Sequence, residues 1–165
     1  MTAEQPAIRV TGIDTGPVSG IFEALWLPGT RVPAWSRAYQ CDDASAPGLL
    51  AFILGLPDRV GGPVLRLGGI EQIRDSTVRG AGLATARQLV VTLSALAGEH
   101  GVTVFARPAA TVKTWATGRR LEKAGLTGTL GKMKDDAYSA AQQCLYTACH
   151  DGGLPDPLSR RAASC

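Results

Sequence analysis

Apolar residues in the first seventy positions form short runs that are separated by turns containing glycine and proline. The runs at residues 7–13 and 20–27 have the length of buried strands and are close enough in sequence to form a hairpin. Residues 30–39 predict a third strand, and Pro33 places it at a sheet edge because proline has no amide N–H for an inner ladder. The chain is therefore expected to begin with three consecutive strands.

The middle of the chain changes from strand-like runs to helical spacing. Residues 46–56 predict a short apolar helix that Pro47 opens, and residues 63–70 predict a strand that runs directly into Glu71. The longest helix is predicted over residues 77–99, where apolar positions recur three and four residues apart. These positions are Leu83, Ala86, Leu89, Val90, Leu93, Leu96 and Ala97.

The last third of the chain predicts one more strand and two more helices. Residues 102–106 predict a short buried strand, and Pro108 opens a helix that reaches Trp115. Apolar positions between residues 137 and 148 mark the inner face of a final helix. The order β-β-β-α-β-α-β-α-α predicts an α/β sheet with helices on its faces.

Length and composition indicate one ordinary globular domain. The 165 residues are 45% hydrophobic and 19% charged, which fits a chain that buries a core and argues against general disorder. We expect the domain to cover residues 1–150. Residues 151–165 are expected to form a flexible tail, since glycine and proline are frequent there.

The net charge of +3 is too small to indicate a nucleic-acid partner, but its distribution is uneven. Residues 1–100 contain 8 Lys and Arg against 9 Asp and Glu, whereas residues 101–165 contain 9 against 5. This asymmetry favours either a polyanion-binding surface in the C-terminal third or ordinary solvated helix faces.

The cysteines and the N-terminus bear on where the protein resides. The four cysteines include no CxxC pair and no histidine at metal-ligand spacing, so we expect free thiols in a reducing compartment. The N-terminus lacks the basic-then-apolar pattern of a signal peptide, and no apolar run has the length that crosses a bilayer. These features predict a cytoplasmic protein with no membrane association.

Acidic residues are sparse, so a carboxylate that ends an apolar strand is informative. Asp14 follows the first strand, where it either binds a ligand or bonds the backbone of the local turn. Glu71 ends the strand predicted over residues 63–70, a position that disfavours an unpaired glutamate. It therefore either binds a cation or pairs with Arg66 or Arg74.

Asp135 and Asp136 open the last helix, where the helix dipole favours acids whatever the function. Two strand ends and a helix start can meet at one edge of a sheet, and carboxylates gathered there need a cation. Mg²⁺ and Mn²⁺ prefer oxygen ligands, and two such ions activate water and stabilise the leaving oxygen in phosphodiester cleavage. The sequence alone does not establish that these acids meet.

An ordered set of short motifs carries a family resemblance. The motifs are Gly12-Ile13-Asp14-Thr15-Gly16, Ser19-Gly20, Ile70-Glu71-Gln72, Thr111-Val112-Lys113 and Asp136-Ala137. Their order and separation over residues 8–150 resemble the RuvC family of Holliday-junction resolvases. Residues 109–126 and 151–160 most resemble the compact actinobacteriophage branch of that family.

The resemblance implies an RNase H-like fold, in which a mixed sheet of three antiparallel N-terminal strands plus parallel strands is flanked by helices. It also implies a homodimer that cuts branched DNA, most commonly four-way Holliday junctions, by a two-metal mechanism with Mg²⁺ or Mn²⁺. Asp14, Glu71 and Asp136 match the metal ligands of the family, and Lys113 matches a basic residue near the scissile phosphate.

One position departs from the family pattern. The family has another Asp or His ligand three residues before the helix-opening aspartate, and this chain has Met133 there. At about 100° per residue, Met133 falls about 50° from the centre of the inner helix face, Asp136 about 110° and Asp135 about 150°. Met133 is thus expected to point inward. Asp135 either replaces the missing ligand or caps the helix.

A basic surround is expected near these acids, because carboxylates alone would repel phosphate. Each cation could equally be a solvated surface charge, and Trp115 is expected to be a core anchor rather than a base-stacking platform. The candidate DNA-binding residues are Arg74, Arg79, Lys113, Arg119, Arg120, Lys132 and Lys134.

Two other functions fit part of the pattern. The departure at Met133 is compatible with a resolvase-derived module that holds branched DNA without cutting it. Gly-Ile-Asp-x-Gly also opens actin-like ATPases and sugar kinases, but such phosphotransferases generally need two domains, and no second phosphate loop is evident in the 165 residues.

Overall fold

The computed structural model of the chain describes residues 5–73, 81–133 and 135–159, without the side chains of residues 81–83. Its five strands form one sheet in the order β3-β2-β1-β4-β5. The strands are β1 (Ala7–Asp14), β2 (Val18–Trp26), β3 (Trp35–Asp42), β4 (Val64–Gln72) and β5 (Thr103–Pro108). The helices are α1 (Ala46–Gly55), α2 (Ala81–Glu99), α3 (Ala109–Trp115), α4 (Gly118–Lys123), α5 (Thr127–Leu130) and α6 (Asp135–His150).

The pairing of the strands confirms the expected mixed sheet. β1 pairs antiparallel with β2, and β2 pairs antiparallel with β3. On its other side β1 pairs parallel with β4, which pairs parallel with β5. Three antiparallel N-terminal strands are thus joined to parallel strands through β1, and the carboxyl ends of β1, β4 and β5 lie at one edge.

Two details of the elements differ from the sequence-based expectation. β3 starts at Trp35 because residues 27–34 form a turn instead, with the Thr30 amide bonded to the Leu27 carbonyl at 3.1 Å. The short helices α4 and α5 were not expected, since neither is long enough to display a helical apolar period. Both lie between α3 and α6 and contribute Leu121 and Leu130 to the core.

The sheet has a helical layer on each face. One hydrophobic cluster lies between the sheet and α6, and it includes Val10, Phe22 and Leu145. A second lies on the opposite face, where Ile21 and Ile70 meet α1 and α2 through side chains such as Leu50 and Leu93. The two faces of each strand, which successive residues face in turn, therefore contribute to different clusters.

Glycines in three strands allow α6 to approach the sheet unusually closely. A Cβ atom at Gly12 would lie 2.5 Å from the backbone nitrogen of Cys144 and closer still to the carbonyl oxygen of Ala140. A Cβ atom at Gly20 would lie 2.7 Å from the nitrogen of Ala137, and one at Gly69 would lie 2.9 Å from the carbonyl oxygen of Gln143. The helix backbone occupies the space that side chains would fill.

A buried ion pair ties the opposite face together. Arg9 of β1 and Glu23 of β2 are 3% and 0% exposed and form a salt bridge. The Arg9 guanidinium also donates to the carbonyls of Ile53 and Leu56 at 2.8 Å each and to Asp58 Oδ1 at 2.7 Å. These bonds satisfy the C-terminal carbonyls of α1 and fix this helix to β1.

Residues that follow the expected domain boundary at residue 150 still pack against the domain. The Leu154 amide donates to the Ala148 carbonyl at 3.0 Å, and Asp156 pairs with Arg120 at 3.0 Å. Arg31 Nη1 reaches the Ser159 carbonyl at 3.1 Å. Residues 151–159 thus contact the domain through specific polar groups, while residues 160–165 of the expected tail lie outside the described residues.

Across the described parts of the chain, every helix is too short or too polar to span a bilayer.

The close approach of α6 predicts a strong size limit at Gly12. Gly12→Ala should lower the free energy of unfolding by about 3 kcal/mol, because the added methyl group overlaps backbone atoms that cannot move independently. Gly98→Ala is the matched control: Gly98 lies in α2 with no atom within 4 Å of an added Cβ, so this change should stabilise by about 0.5–1 kcal/mol. Urea unfolding of the three proteins measures both effects, and equal stability of Gly12→Ala and wild type would contradict the packing.

Candidate functional site

The carboxyl ends of β1 and β4 bring two acidic side chains together. Ile13 and Ile70 are register partners in the parallel β1–β4 pair, so Asp14 and Glu71 follow side by side. Both side chains lie on the α6 face. Asp14 is two and four residues from Gly12 and Val10, and Glu71 is two and four residues from Gly69 and Leu67, all of which face α6. The predicted strand-end acids thus meet at one sheet edge.

Asp14 is strongly perturbed by this environment. Its side chain is 9% exposed. Burial, together with the neighbouring Glu71 carboxyl that shares a hydrogen bond with it, raises the pKa of Asp14 to about 8. Lys113 and the Ser139 hydroxyl act in the opposite direction on the pKa of Asp14. Two carboxyls held together at a buried strand end require a shared proton or a cation.

The first turn of α6 lies over the same edge. Gly20 is the register partner of Asp14 in the β1–β2 pair, and the Asp136 backbone lies directly against Gly20. Asp136 is half-buried and Asp135 is exposed, in the order that the 100° spacing predicts. In the described residues, no group of three or more His, Cys, Asp or Glu side chains is close enough to hold a metal ion as it stands.

The donor set nevertheless fits a divalent cation. Carboxylate oxygens are the ligands that Mg²⁺ and Mn²⁺ prefer, and Asp14 and Glu71 supply them from two rigid strands. Asp136 and Asp135 lie on the helix turn nearest to this pair. A cation would offset both the cost of burying a charged carboxylate and the repulsion between Asp14 and Glu71.

Ser139 was not anticipated from the sequence. It is 8% exposed and its hydroxyl bonds the Asp14 side chain. The signal that could have found it is its position three residues after Asp136, which places both on neighbouring parts of one helix face. A serine next to alanines in a helix has no sequence signal of its own. Its role becomes visible only from the position of Asp14 at the end of β1.

The arginine alternative for Glu71 is partly excluded. Arg66 of the same strand pairs with Asp58 at 2.8 Å and not with Glu71. Arg74, the other candidate, lies outside the described residues. Among the described residues, Glu71 shares a hydrogen bond with Asp14.

The expected inward direction of Met133 is wrong. Met133 is 41% exposed, and its amide donates to the Leu130 carbonyl at 2.8 Å in a turn. Helix α6 begins two residues later, at Asp135, so helical angles do not extend back to residue 133. Its thioether is not on the buried face of α6.

The candidate DNA-binding cations divide into three groups. Lys113 is exposed and acts electrostatically on Asp14, while Arg119 and Lys132 are exposed on the protein surface. Arg120 is engaged elsewhere, since its guanidinium binds Asp156 through two bonds of 3.0 and 3.1 Å and donates to the Trp115 carbonyl at 2.9 Å. The remaining candidates, Arg74, Arg79 and Lys134, lie outside the described residues.

Trp115 is a core anchor, as expected. It packs against the hydrophobic cluster under α6. Its ring meets Tyr146 edge-on at 5.4 Å and His150 at 4.8 Å, and the Arg120 guanidinium lies 4.7 Å from the ring centre. These contacts occupy the surfaces that a nucleobase would need.

The fold is that of RuvC. A structure of T. thermophilus RuvC in complex with a Holliday junction substrate matches with a TM-score of 0.58 and 17% identity, over 88% of this chain and 96% of that one. A second Thermus thermophilus RuvC structure matches with a TM-score of 0.58 and 18% identity, over 91% and 99%. No family model and no curated protein matches the sequence. The likeness to the actinobacteriophage branch stays a prediction.

The raised pKa of Asp14 predicts how the metal-free protein responds to pH. The carboxyl holds its proton in the folded state up to about pH 8 but ionises above about pH 4 when unfolded. The free energy of unfolding of the wild type should therefore be compared with that of Asp14→Asn. The difference should favour the wild type most below pH 4 and should fall by about 1 kcal/mol per pH unit up to pH 8. Thermal unfolding in EDTA at pH 5 and pH 8 measures this.

The control for that experiment is Glu99→Gln, which removes an exposed carboxylate at the end of α2. Its stability should follow the wild type at both pH values. Adding Mn²⁺ at pH 8 should restore the wild type and leave Asp14→Asn nearly unchanged. A difference between wild type and Asp14→Asn that does not vary with pH would contradict the raised pKa.

Proposed function

We propose that the chain is a metal-dependent endonuclease that cleaves branched DNA, with four-way Holliday junctions as its main substrate. The observation that carries the proposal is the pairing of Asp14 and Glu71 at adjacent parallel strand ends, under the acidic first turn of α6. The RuvC fold supports the substrate class, since one of the matching structures is a RuvC bound to a Holliday junction.

The proposed cofactor is Mg²⁺ or Mn²⁺, as two ions held by Asp14, Glu71, Asp136 and Asp135. When bound, the ions activate water and stabilise the leaving oxygen of a phosphodiester. The residues of the chain hold and order these ligands. Ser139 orients Asp14, and Lys113 attracts the phosphate next to the carboxylates.

The DNA surface is proposed to extend from Lys113 to the exposed cations Arg119 and Lys132, with Arg74, Arg79 and Lys134 completing it. These residues would bind backbone phosphates and so position the junction without reading its sequence. Arg120 contributes less, because Asp156 already neutralises it.

A non-cleaving branched-DNA-binding module is the second candidate. Two observations favour it: Met133 stands where the family pattern has an Asp or His ligand, and the described residues contain no group of three or more His, Cys, Asp or Glu side chains placed to hold a metal ion. The two candidates differ only in turnover, so a cleavage assay distinguishes them.

The proposal predicts that Asp14→Asn and Glu71→Gln lower the cleavage of a synthetic four-way junction by roughly 10³-fold or more, because each removes a metal-ligand charge. Junction binding in EDTA should persist or tighten, since a negative charge near phosphate is lost. Glu99→Gln is the control and should cleave normally. The assay uses Mg²⁺ and Mn²⁺ with linear duplex and flap DNA for comparison, and wild-type-like turnover by either variant would end the proposal.

The same assay tests the two helix-start acids. If Asp135 is the fourth ligand, Asp135→Asn should reduce turnover in Mg²⁺ about as strongly as Asp136→Asn, and Met133→Asp should change little. If Asp135 only caps α6, its loss should cost about 1 kcal/mol of stability and leave turnover intact. We favour the first outcome, and equal rates of wild type and Asp135→Asn would refute it.

The proposed enzyme acts as a homodimer through the α1–α2 layer. Phe52 of α1 and Val91 of α2 are 63% and 61% exposed, and large exposed apolar side chains are candidates for a surface that a partner covers. The double variant Phe52→Asp with Val91→Asp should be monomeric by light scattering at micromolar concentration, whereas Leu27→Asp, outside this layer, should remain dimeric. A monomeric wild type, with and without junction DNA, would exclude the dimer.

A further inference from the structure

An arginine lies beside one of the proposed metal ligands. Arg107 of β5 is the register partner of Glu71 of β4, and neighbouring strands are only about 4.8 Å apart. The two side chains share the α6 face, because Arg107 contacts Thr147 and Asp151 at the end of α6. An arginine in this position is able to pair with the Glu71 carboxylate.

The guanidinium of Arg107 is instead held away from Glu71. Its Nη2 donates to both carboxylate oxygens of Asp151 at 2.7 Å, and its Nη1 donates to Thr147 Oγ1 at 3.4 Å. The group lies 4.9 Å from the ring centre of Phe105, two residues back along β5, and 5.1 Å from that of Tyr146. The side chain therefore runs back along its strand and ends between two rings.

Asp151 lies at the C-terminal end of α6, where a carboxylate is unfavourable unless it has a cationic partner such as Arg107. Its amide bonds the Thr147 carbonyl, so it directly continues the last turn of α6. The helix dipole disfavours a carboxylate there. Arg107 offsets this cost, and the pair is only 18% and 15% exposed.

We propose that Asp151 is a positioning residue that keeps Arg107 from neutralising Glu71, so that the Glu71 carboxylate stays available to a divalent metal. The inference rests on the proposed function, in which Glu71 is a ligand. A bidentate arginine–carboxylate pair is strong and specific, so a released Arg107 competes with the metal for Glu71. Asp151 supplies a better-ordered alternative partner.

The test is the binding of Mn²⁺ alone, measured by titration calorimetry without DNA. Asp151→Asn should weaken Mn²⁺ binding by about tenfold, because Glu71 must first be separated from Arg107. The double variant Arg107→Met with Asp151→Asn should bind Mn²⁺ as the wild type does. A merely structural pair would give the opposite pattern, in which the double variant is no better than Asp151→Asn.

The matched control is Asp156→Asn, which breaks the comparable Arg120–Asp156 pair stacked on Trp115. Arg120 has no strand position beside Glu71, so Mn²⁺ binding should change less than about twofold. Wild-type affinity of Asp151→Asn, or no recovery in the double variant, overturns the proposal. Should Asp151→Asn fail to fold, Arg107→Met alone decides: it must bind Mn²⁺ at least as tightly as the wild type.

Glu71→Gln separates this inference from the proposed function. If Glu71 is not a ligand, Glu71→Gln binds Mn²⁺ normally and the proposed function fails first. If Glu71→Gln loses Mn²⁺ binding while Asp151→Asn keeps it, only the role of Asp151 is wrong.

Discussion

The contact between α6 and the glycines of the sheet is the constraint on which the rest of the structure depends. Backbone packs on backbone at Gly12, Gly20 and Gly69, so the height of the helix over the sheet is set by atoms that have no rotamers. The first turn of α6 is consequently held above the end of β1. Asp135 and Asp136 in that turn are therefore positioned near Asp14 by this backbone contact rather than by hydrogen bonds between their own side chains and other described residues.

The two faces of the sheet stabilise the structure in different ways. The α6 face is stabilised by close packing on small residues, whereas the α1 face adds to its hydrophobic cluster the buried charged pair of Arg9 and Glu23, with its bonds to the end of α1. Removing one partner of a buried pair leaves an uncompensated charge. The face away from the candidate site thus anchors β1 and β2, the strands on which α6 rests.

The sequence was sufficient to predict the strands and the strand-end positions of Asp14 and Glu71 from local periodicity, whereas the mixed pairing of the strands followed only from the resemblance to the RuvC family. Asp14 and Glu71 end apolar runs, and parallel pairing brings them together. It was insufficient for Arg120, whose partner Asp156 lies 36 residues away, and for Met133, whose direction depends on where α6 begins. Such long-range pairs and helix starts depend on packing, which no local pattern records.

The placement of the two ends of the site has a consequence for biosynthesis. Asp14 emerges early, but α6 lies near the other end of the described chain. Contacts between segments so distant in sequence form late, after the loop between them is closed. A chain still attached to the ribosome before α6 is released has the paired strand acids but no helix above them. The proposed metal site is therefore incomplete until α6 has been synthesised and has packed on the sheet.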